Sequence, residues 1–150
     1  MIGMELRGDD GLVISDDPDR LDLDRICAWL GASYWASYRD RATVERSLAG
    51  SRGYGVYAPD GMQVALTRVV SDDATFAWLC DVVVDEAWRG RGIGSWLIGA
   101  VVERLRTDGV PRIVLTTRDA HSVYAPAGFE PLRVPRTWME IDVRPTRPQS

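Results

Sequence analysis

The run Arg89-Gly90-Arg91-Gly92-Ile93-Gly94-Ser95 is the part of the chain best equipped for chemistry. It follows the β-branched run Val82-Val83-Val84 and leads at once into Ile93, Trp96, Leu97, Ala100, Val101 and Leu105, whose spacing marks one face of a helix. Strand, glycine turn and helix N-terminus in that order form an anion cradle. Glycine lets the backbone approach a ligand closely, and a turn can aim several N–H groups at one centre. The first-turn N–H groups of a helix have no internal partner and carry its positive dipole end. A phosphorylated ligand is the natural occupant. The triphosphatase loop Gly-x-x-x-x-Gly-Lys-[Ser/Thr] is excluded, because all 18 basic residues of this chain are arginine. The dinucleotide fingerprint Gly-x-Gly-x-x-Gly fails as well: Ser95 stands where its third glycine belongs, and the next strand candidate, residues 112–117, carries no acid.

What fits is the pattern [Arg/Gln]-x-x-Gly-x-[Gly/Ala], met by Arg89-Gly90-Arg91-Gly92-Ile93-Gly94. This loop resembles the pyrophosphate-binding loop of the GNAT superfamily of N-acetyltransferases, which use acetyl-coenzyme A. Downstream, Ala120-His121-Ser122-Val123-Tyr124-Ala125-Pro126-Ala127-Gly128-Phe129 is similar to that family's Ala-x-x-x-Tyr-x-x-x-Gly-Phe segment. The resemblance spans residues 12–142, with these two segments as its specific parts. It implies acetyl-coenzyme A as acyl donor, no metal, and transfer of the acetyl group to a primary amine by direct attack in a ternary complex. The acceptor would be a small molecule or an exposed protein amine. It further implies that residues Arg89 to Ser95 hold the pyrophosphate and that the edge of Val82, Val83 and Val84 pairs with the amide-bearing arm of the coenzyme. The Val82 N–H would then polarise the thioester carbonyl, and Tyr124 would serve as general acid. Two positions depart from the family pattern: Pro126 stands inside the short helix, and Thr117 replaces an asparagine often found seven residues before the tyrosine.

Amine acetylation poses two proton problems. A lysine-like amine, with pKa about 10.4, is mostly protonated at neutral pH, and losing that proton costs about 4–5 kcal/mol. The departing thiolate, from a thiol with pKa about 8.5, must also be neutralised. A phenol can act as general acid, which suits Tyr124; its structural alternative is a tyrosine packed with Val123 and Phe129. For the base, Asp81 is the candidate, since it opens the Val82-Val83-Val84 run, an odd place for a charge unless that face lines a cleft. The alternatives are an aspartate that orients substrate or bonds a neighbouring loop, with a water chain taking the proton. Proline inside a helix loses a backbone hydrogen bond and clashes one turn back, so Pro126 ends or kinks the helix just after Tyr124. His121, the only histidine, reads as a surface residue in the first turn of that helix.

Tyr34, Trp35 and Tyr38 cluster just after the first helix, and Trp78 lies on the strand leading to Asp81. Aromatic walls beside acids would suit a cationic amine, which makes Tyr34, Trp35 and Trp78 candidates for acceptor binding; the competing reading is core packing. A different class of function also fits the loop: a catalytically silent acyl-coenzyme-A-binding sensor or interaction module.

The elements that must position these groups follow from pattern. Residues 12–15 read as a strand and 16–19 as a turn, with Asp22 or Asp24 capping a helix that runs to Leu30. Residues 41–49 form a second helix. Strands follow at 53–58, 62–70 and 75–84, the first two joined by the hairpin signal Pro59-Asp60-Gly61. A long helix at 93–106, a strand at 112–117, a short helix at 120–126 and strands at 130–134 and 137–142 complete the series. An antiparallel meander leading into a parallel crossover gives an α/β fold with one mixed sheet, in the element order of the GNAT fold. Residues 1–11 and 144–150 read as loose ends around one domain, 12–143.

Bulk properties agree. A chain of 150 residues buries roughly 70% of its unfolded surface, enough for a single core. The longest apolar stretch, residues 96–102, is far short of the ~20 residues that span a bilayer, and the N-terminus lacks the features of a secretory signal. Cys27 and Cys80 have no metal-like spacing and read as free thiols in a reducing cytoplasm. A net charge of −4 without a basic stripe argues against nucleic acid as partner. A homodimer is compatible with all of this.

Overall fold

A computed structural model describes residues 3–145. Among the described residues, six strands lie in one sheet in chain order: β1 (Glu5–Arg7), β2 (Val13–Ser15), β3 (Arg52–Tyr57), β4 (Gln63–Ser71), β5 (Ala77–Val84) and β6 (Ile113–Val114). Every neighbouring pair is antiparallel except β5–β6, which is parallel. The helices are α1 (Leu23–Gly31), α2 (Arg41–Ala49), α3 (Ile93–Thr107) and α4 (His121–Tyr124).

Local chemistry sets the boundaries. Asp22 caps α1 by accepting the Arg25 N–H at 3.1 Å, and Asp40 caps α2 by accepting the Thr43 N–H at 2.8 Å. In the β3–β4 hairpin, Gly61 takes φ +90° and Asp60 accepts the Met62 N–H at 3.0 Å. α1 and α2 cover one face of the sheet, where Ile26, Leu30 and Val44 meet Leu66. α3 covers the other with Leu97, Ile98, Val101 and Leu105, packed with Ile14, Tyr54, Val56 and Leu79. Strands buried on both faces are apolar without alternation, which is why β4 is buried from Gln63 to Val69.

Three sequence expectations are corrected at the ends of the sheet. The N-terminal segment is not loose throughout: Glu5–Arg7 pairs with β2, and the Met4 N–H donates to the Asp16 carboxylate at 2.7 Å. All three β1 side chains are exposed, so the strand is held by its backbone ladder and leaves no hydrophobic pattern to read. Residues 130–134 and 137–142 form no strand; a 3₁₀ turn at Pro135–Thr137 stands between them. Pro131 and Pro135 remove ladder donors at both sides of the first segment. The sheet therefore ends at β6, which itself shrinks to two residues. The short helix stops at Tyr124 and passes into a 3₁₀ turn at Ala125–Ala127 containing Pro126, closed by Gly128 at φ +102°. The proposed loose tail reaches residues 146–150, which lie outside the described residues. No helix among the described residues is long and apolar enough to cross a membrane.

Candidate active site

β5 and β6 pair only at Ala77–Ile113 and Trp78–Val114. Beyond Trp78, β5 stays with β4 and leaves the side of β6. The register passes from Arg68–Cys80 to Leu66–Val83, so Asp81 and Val82 together oppose Thr67. This β-bulge puts Asp81 at φ +52°, a left-handed conformation that aspartate tolerates better than most residues. A bulge bends its strand, and here the bend opens a wedge between β5 and the chain after β6. The wedge is a cavity of ≈450 Å³, walled by Trp78, Asp81 and Val82 on one side and Leu115, Thr116 and Thr117 on the other. Tyr34, Trp35, Arg39 and Tyr124 complete its wall. The three aromatic residues singled out as acceptor candidates and both candidate catalytic residues are thus brought to one cavity.

The glycine loop closes the far end of β5. After Val84, a 3₁₀ turn at Glu86–Trp88 leads to Arg89, and α3 begins at Ile93. Gly90 and Gly92 take φ +80° and +76°, and nothing lies within 4 Å of where a Cβ would stand on either. Where α1 and α2 each carry an aspartate cap, α3 has Gly92 at that position and no side-chain cap. Its first-turn N–H groups are left for a ligand, with the dipole end favouring an anion. Gly94 is adjacent to the strand: a Cβ there would meet Val84 Cγ2 at 3.6 Å. Arg89 donates through Nε to the Val84 carbonyl at 3.1 Å, and Arg91 stacks 4.5 Å from the Trp88 ring centroid. Both guanidinium groups stay near the loop, fit for phosphate oxygens. Loop, strand edge and cavity form a path suited to a ligand with a diphosphate at one end and a reactive group at the other.

Asp81 is held more tightly than a free base would be. One carboxylate oxygen accepts the Trp35 indole N–H at 2.9 Å; the other accepts from Arg39 at 2.8 Å and from Arg68 Nε at 2.9 Å. Its side chain is 1% exposed, and those of Arg39 and Arg68 are 11% and 8% exposed. Burial pushes the Asp81 pKa up, yet the Arg39 charge, with the hydrogen bond and charge of Arg68, outweighs it and holds the carboxyl below its ordinary value. A carboxylate so stabilised is a poor proton acceptor. Arg39 and Arg68 were not singled out from sequence, although Arg68 is the lone charge in the apolar run at residues 64–70. A charge inside one buried strand calls for its opposite on the next.

Tyr124 meets the cavity with its ring edge-to-face against Phe129, centroids 6.1 Å apart. Burial raises its pKa above the ordinary tyrosine value, so the phenol keeps its proton. Cys80 also lines the cavity, but burial pushes its thiol up to about 11, which leaves it inert as a nucleophile. On another wall of the cavity, Tyr34 and Trp35 pack edge-to-face at 5.1 Å, and Arg118 stacks 4.0 Å from the Tyr34 ring centroid. Glu140, Asp142 and Arg144 enter the cavity wall from the C-terminal segment, with Asp142 and Arg144 forming a two-bond pair at 2.7 and 2.8 Å. None of these three is singled out by the sequence, where residues 137–142 read only as a strand; the segment forms none. Among the described residues, no group of three or more His, Cys, Asp or Glu is arranged to hold a metal.

Comparison with known proteins meets this geometry. The Acetyltransferase (GNAT) family model matches residues 18–129. A crystal structure of a GNAT-family protein from Xanthomonas campestris pv. campestris is 40% identical, covers 88% of this chain and 93% of its own, and superposes with a TM-score of 0.83. A provisionally named acetyltransferase of Gibberella zeae is 29% identical over 135 residues, covering 75% of this chain and 74% of that protein. The N-acetylglutamate synthase of Neisseria gonorrhoeae, solved with coenzyme A and N-acetyl-glutamate, shares the fold at 16% identity and TM-score 0.64, over 79% of this chain and 28% of its own. With the match spanning the glycine loop, the wedge and Tyr124, the chain belongs to the GNAT family of acetyltransferases.

Proposed function

We propose that this protein transfers the acetyl group of acetyl-coenzyme A to a primary amine, on a small molecule or an exposed protein side chain, in a ternary complex. The observation that carries this reading is the wedge between β5 and β6, with an uncapped helix N-terminus beyond one end and Tyr124 on its wall. The N–H groups of residues 92–95 and the guanidinium groups of Arg89 and Arg91 hold the diphosphate of the donor. The β5 edge at Val82–Val84, which β6 leaves uncovered, pairs with the amides of the coenzyme arm as an added strand would. That the gonococcal synthase was solved with coenzyme A supports the choice of donor.

In the reaction the amine nitrogen attacks the thioester carbonyl carbon, a C–N bond forms and the C–S bond breaks. The Val82 N–H stabilises charge growing on the carbonyl oxygen. Tyr124 gives its proton to the departing sulfur and regains one from solvent. The amine proton leaves to water in the cavity. Asp81 does not take it, because Arg39, Arg68 and Trp35 already engage both of its oxygens. Asp81 instead fixes the bulge that orients Val82. Tyr34, Trp35 and Trp78 form the aromatic wall that receives the acceptor.

The test pairs calorimetry of acetyl-coenzyme A binding with a thiol-release assay over a panel of amines. Binding with turnover of at least one amine is the expected result. Absence of any association with the coenzyme would overturn the proposal, and binding without turnover would assign the chain to coenzyme binding alone.

A further inference from the structure

Two arginines share one buried carboxylate. Arg39 donates through Nη1 to Asp81 Oδ2 at 2.8 Å, and Arg68 donates through Nε to the same oxygen at 2.9 Å. Among the described residues, neither guanidinium pairs with a second acid. Arg68 gives a further donor to the Ser51 hydroxyl at 3.3 Å, and burial keeps the neighbouring Cys80 thiol protonated, so neither supplies a negative charge. The cluster therefore holds one positive charge more than it neutralises, on side chains that are largely buried. Charges removed from water call for a counter-charge.

The excess charge meets the cavity at Arg39. Arg39 and Asp81 both line the wedge, whereas Arg68 forms no part of its wall. Asp81 has nothing left to offer a ligand, because both of its oxygens are engaged. A guanidinium carries five N–H donors in a planar fork that matches a carboxylate with two parallel bonds. The other charges of the wall are paired locally or lean the opposite way. Arg118 stands 3.6 Å from Asp119, and Arg144 pairs with Asp142 while also feeling the charge of Glu140. The cavity thus has a positive pole at Arg39 and a negative one at Glu140. A molecule with both a carboxylate and an ammonium group complements the two.

We propose that the acceptor is a small amine with a carboxylate a few bonds from its nitrogen, as in an α- or β-amino acid, and that Arg39 is the residue that selects it. This rests on acetyl transfer as proposed above and narrows the acceptor to one chemical class, leaving out the side-chain amine of a protein lysine. The short spacing follows from the chain itself. Arg39 is bonded to Asp81, and the next residue, Val82, presents the N–H assigned to the thioester oxygen. A carboxylate on Arg39 and a nitrogen attacking that thioester then belong to one compact molecule. The cavity volume of ≈450 Å³ suits such an acceptor beside the end of the coenzyme arm, since small-ligand sites span about 300–1,000 Å³.

Two measurements on the native chain test this. N-acetylglycine, added without coenzyme to isotope-labelled protein, should shift the nuclear magnetic resonance of the Trp35 indole N–H, which donates to Asp81, until the site saturates. N-acetylglycinamide should leave it in place, and Trp35→Phe identifies the signal. In the thiol-release assay, amino acids should exceed their amides in kcat/KM by about 10–150-fold at equal free-base concentration, the range of a hydrogen bond to a charged group. Arg39→Gln removes the excess charge and leaves Asp81 paired with Arg68. That variant should keep its circular dichroism spectrum and lose the preference through a higher KM for the acids alone, and Arg39→Lys should restore part of it. Equal kcat/KM for acids and amides overturns this inference and leaves acetyl transfer in place. A saturable shift without turnover of any amine upholds the carboxylate site and overturns acetyl transfer instead. No difference between the two probes, or a preference that survives Arg39→Gln, also overturns the inference; should that variant fail to fold, the two native measurements decide.

Discussion

Replacing Asp81 with asparagine separates an anchoring carboxylate from a catalytic base. Three donors converge on its two oxygens, from Trp35 at 2.9 Å, Arg39 at 2.8 Å and Arg68 at 2.9 Å. Asparagine keeps the shape and tolerates the left-handed backbone at φ +52°. It offers one acceptor oxygen, however, and turns an N–H toward a donor, leaving two buried guanidinium groups without a counter-charge. Removing one partner of a buried ion pair costs about 3–5 kcal/mol. In a domain of this size each kcal/mol lowers the melting temperature by roughly 2–4 °C, so a fall of about 6–20 °C is expected by circular dichroism. The pH dependence follows from the direction of the shift. With its folded pKa below the unfolded value of about 3.9, Asp81 contributes its full stabilisation above that value and loses it as pH falls through the folded pKa. Asp81→Asn should therefore lose less stability than the native chain on acidification through that window. In the thiol-release assay, well below the melting point, the variant should turn over more slowly but keep the shape of its pH–rate profile. A variant that melts within about 4 °C of the native chain, loses at least ~10²-fold in kcat and lacks the acidic limb would refute this reasoning and restore Asp81 as the base.

Tyr124→Phe should lower kcat by about 10²–10⁴-fold with acetyl-coenzyme A affinity unchanged by calorimetry; near-native turnover would remove the phenol from the chemistry. In the native enzyme the alkaline limb of kcat should lie above the ordinary tyrosine value of about 10, because burial raises the Tyr124 pKa and the acid form is the active one; a limb near neutrality would assign it to another group. Gly92→Asp adds a Cβ at φ +76° and a negative charge to the cradle, so coenzyme binding should disappear while the circular dichroism spectrum persists. Retained binding would move the diphosphate elsewhere. Trp35→Phe removes one donor to a charged acceptor, a loss of about 1.5–3 kcal/mol, and should cost much less in an Asp81→Asn background; additive losses would uncouple the two residues.

What could be read in the sequence was chemistry written in residue type and short-range period. The glycine loop, the apolar face of α3, the aspartate-capped start of α1 and the Pro59-Asp60-Gly61 hairpin each depend on neighbours a few positions apart, and each stands in the structure. β1 escaped because a strand with three exposed side chains is held by backbone bonds, which have no pattern. The tail strands erred the other way. Alternation at 139–143 has the period of a strand, but period alone does not supply a ladder neighbour, and among the described residues this segment pairs with no strand.

Asp81 shows how the same limit governs a site. A lone acid opening an apolar run reads as a base, because such a charge calls for a cleft. Its cleft exists, yet the charge is explained first by Arg68, the lone base of the adjacent strand, on the other side of the bulge. Either residue alone would be costly in a buried strand, and together with Arg39 they become one ion cluster pinning the segment 34–39 against β5. The register that joins them depends on a one-residue bulge, which no periodicity announces. A carboxylate embedded in a strand should therefore be matched against opposite charges on neighbouring strands before it is assigned a proton to carry. Where such a partner stands in hydrogen-bond contact, the depressed pKa that makes the ion pair stable is the property that makes the base weak.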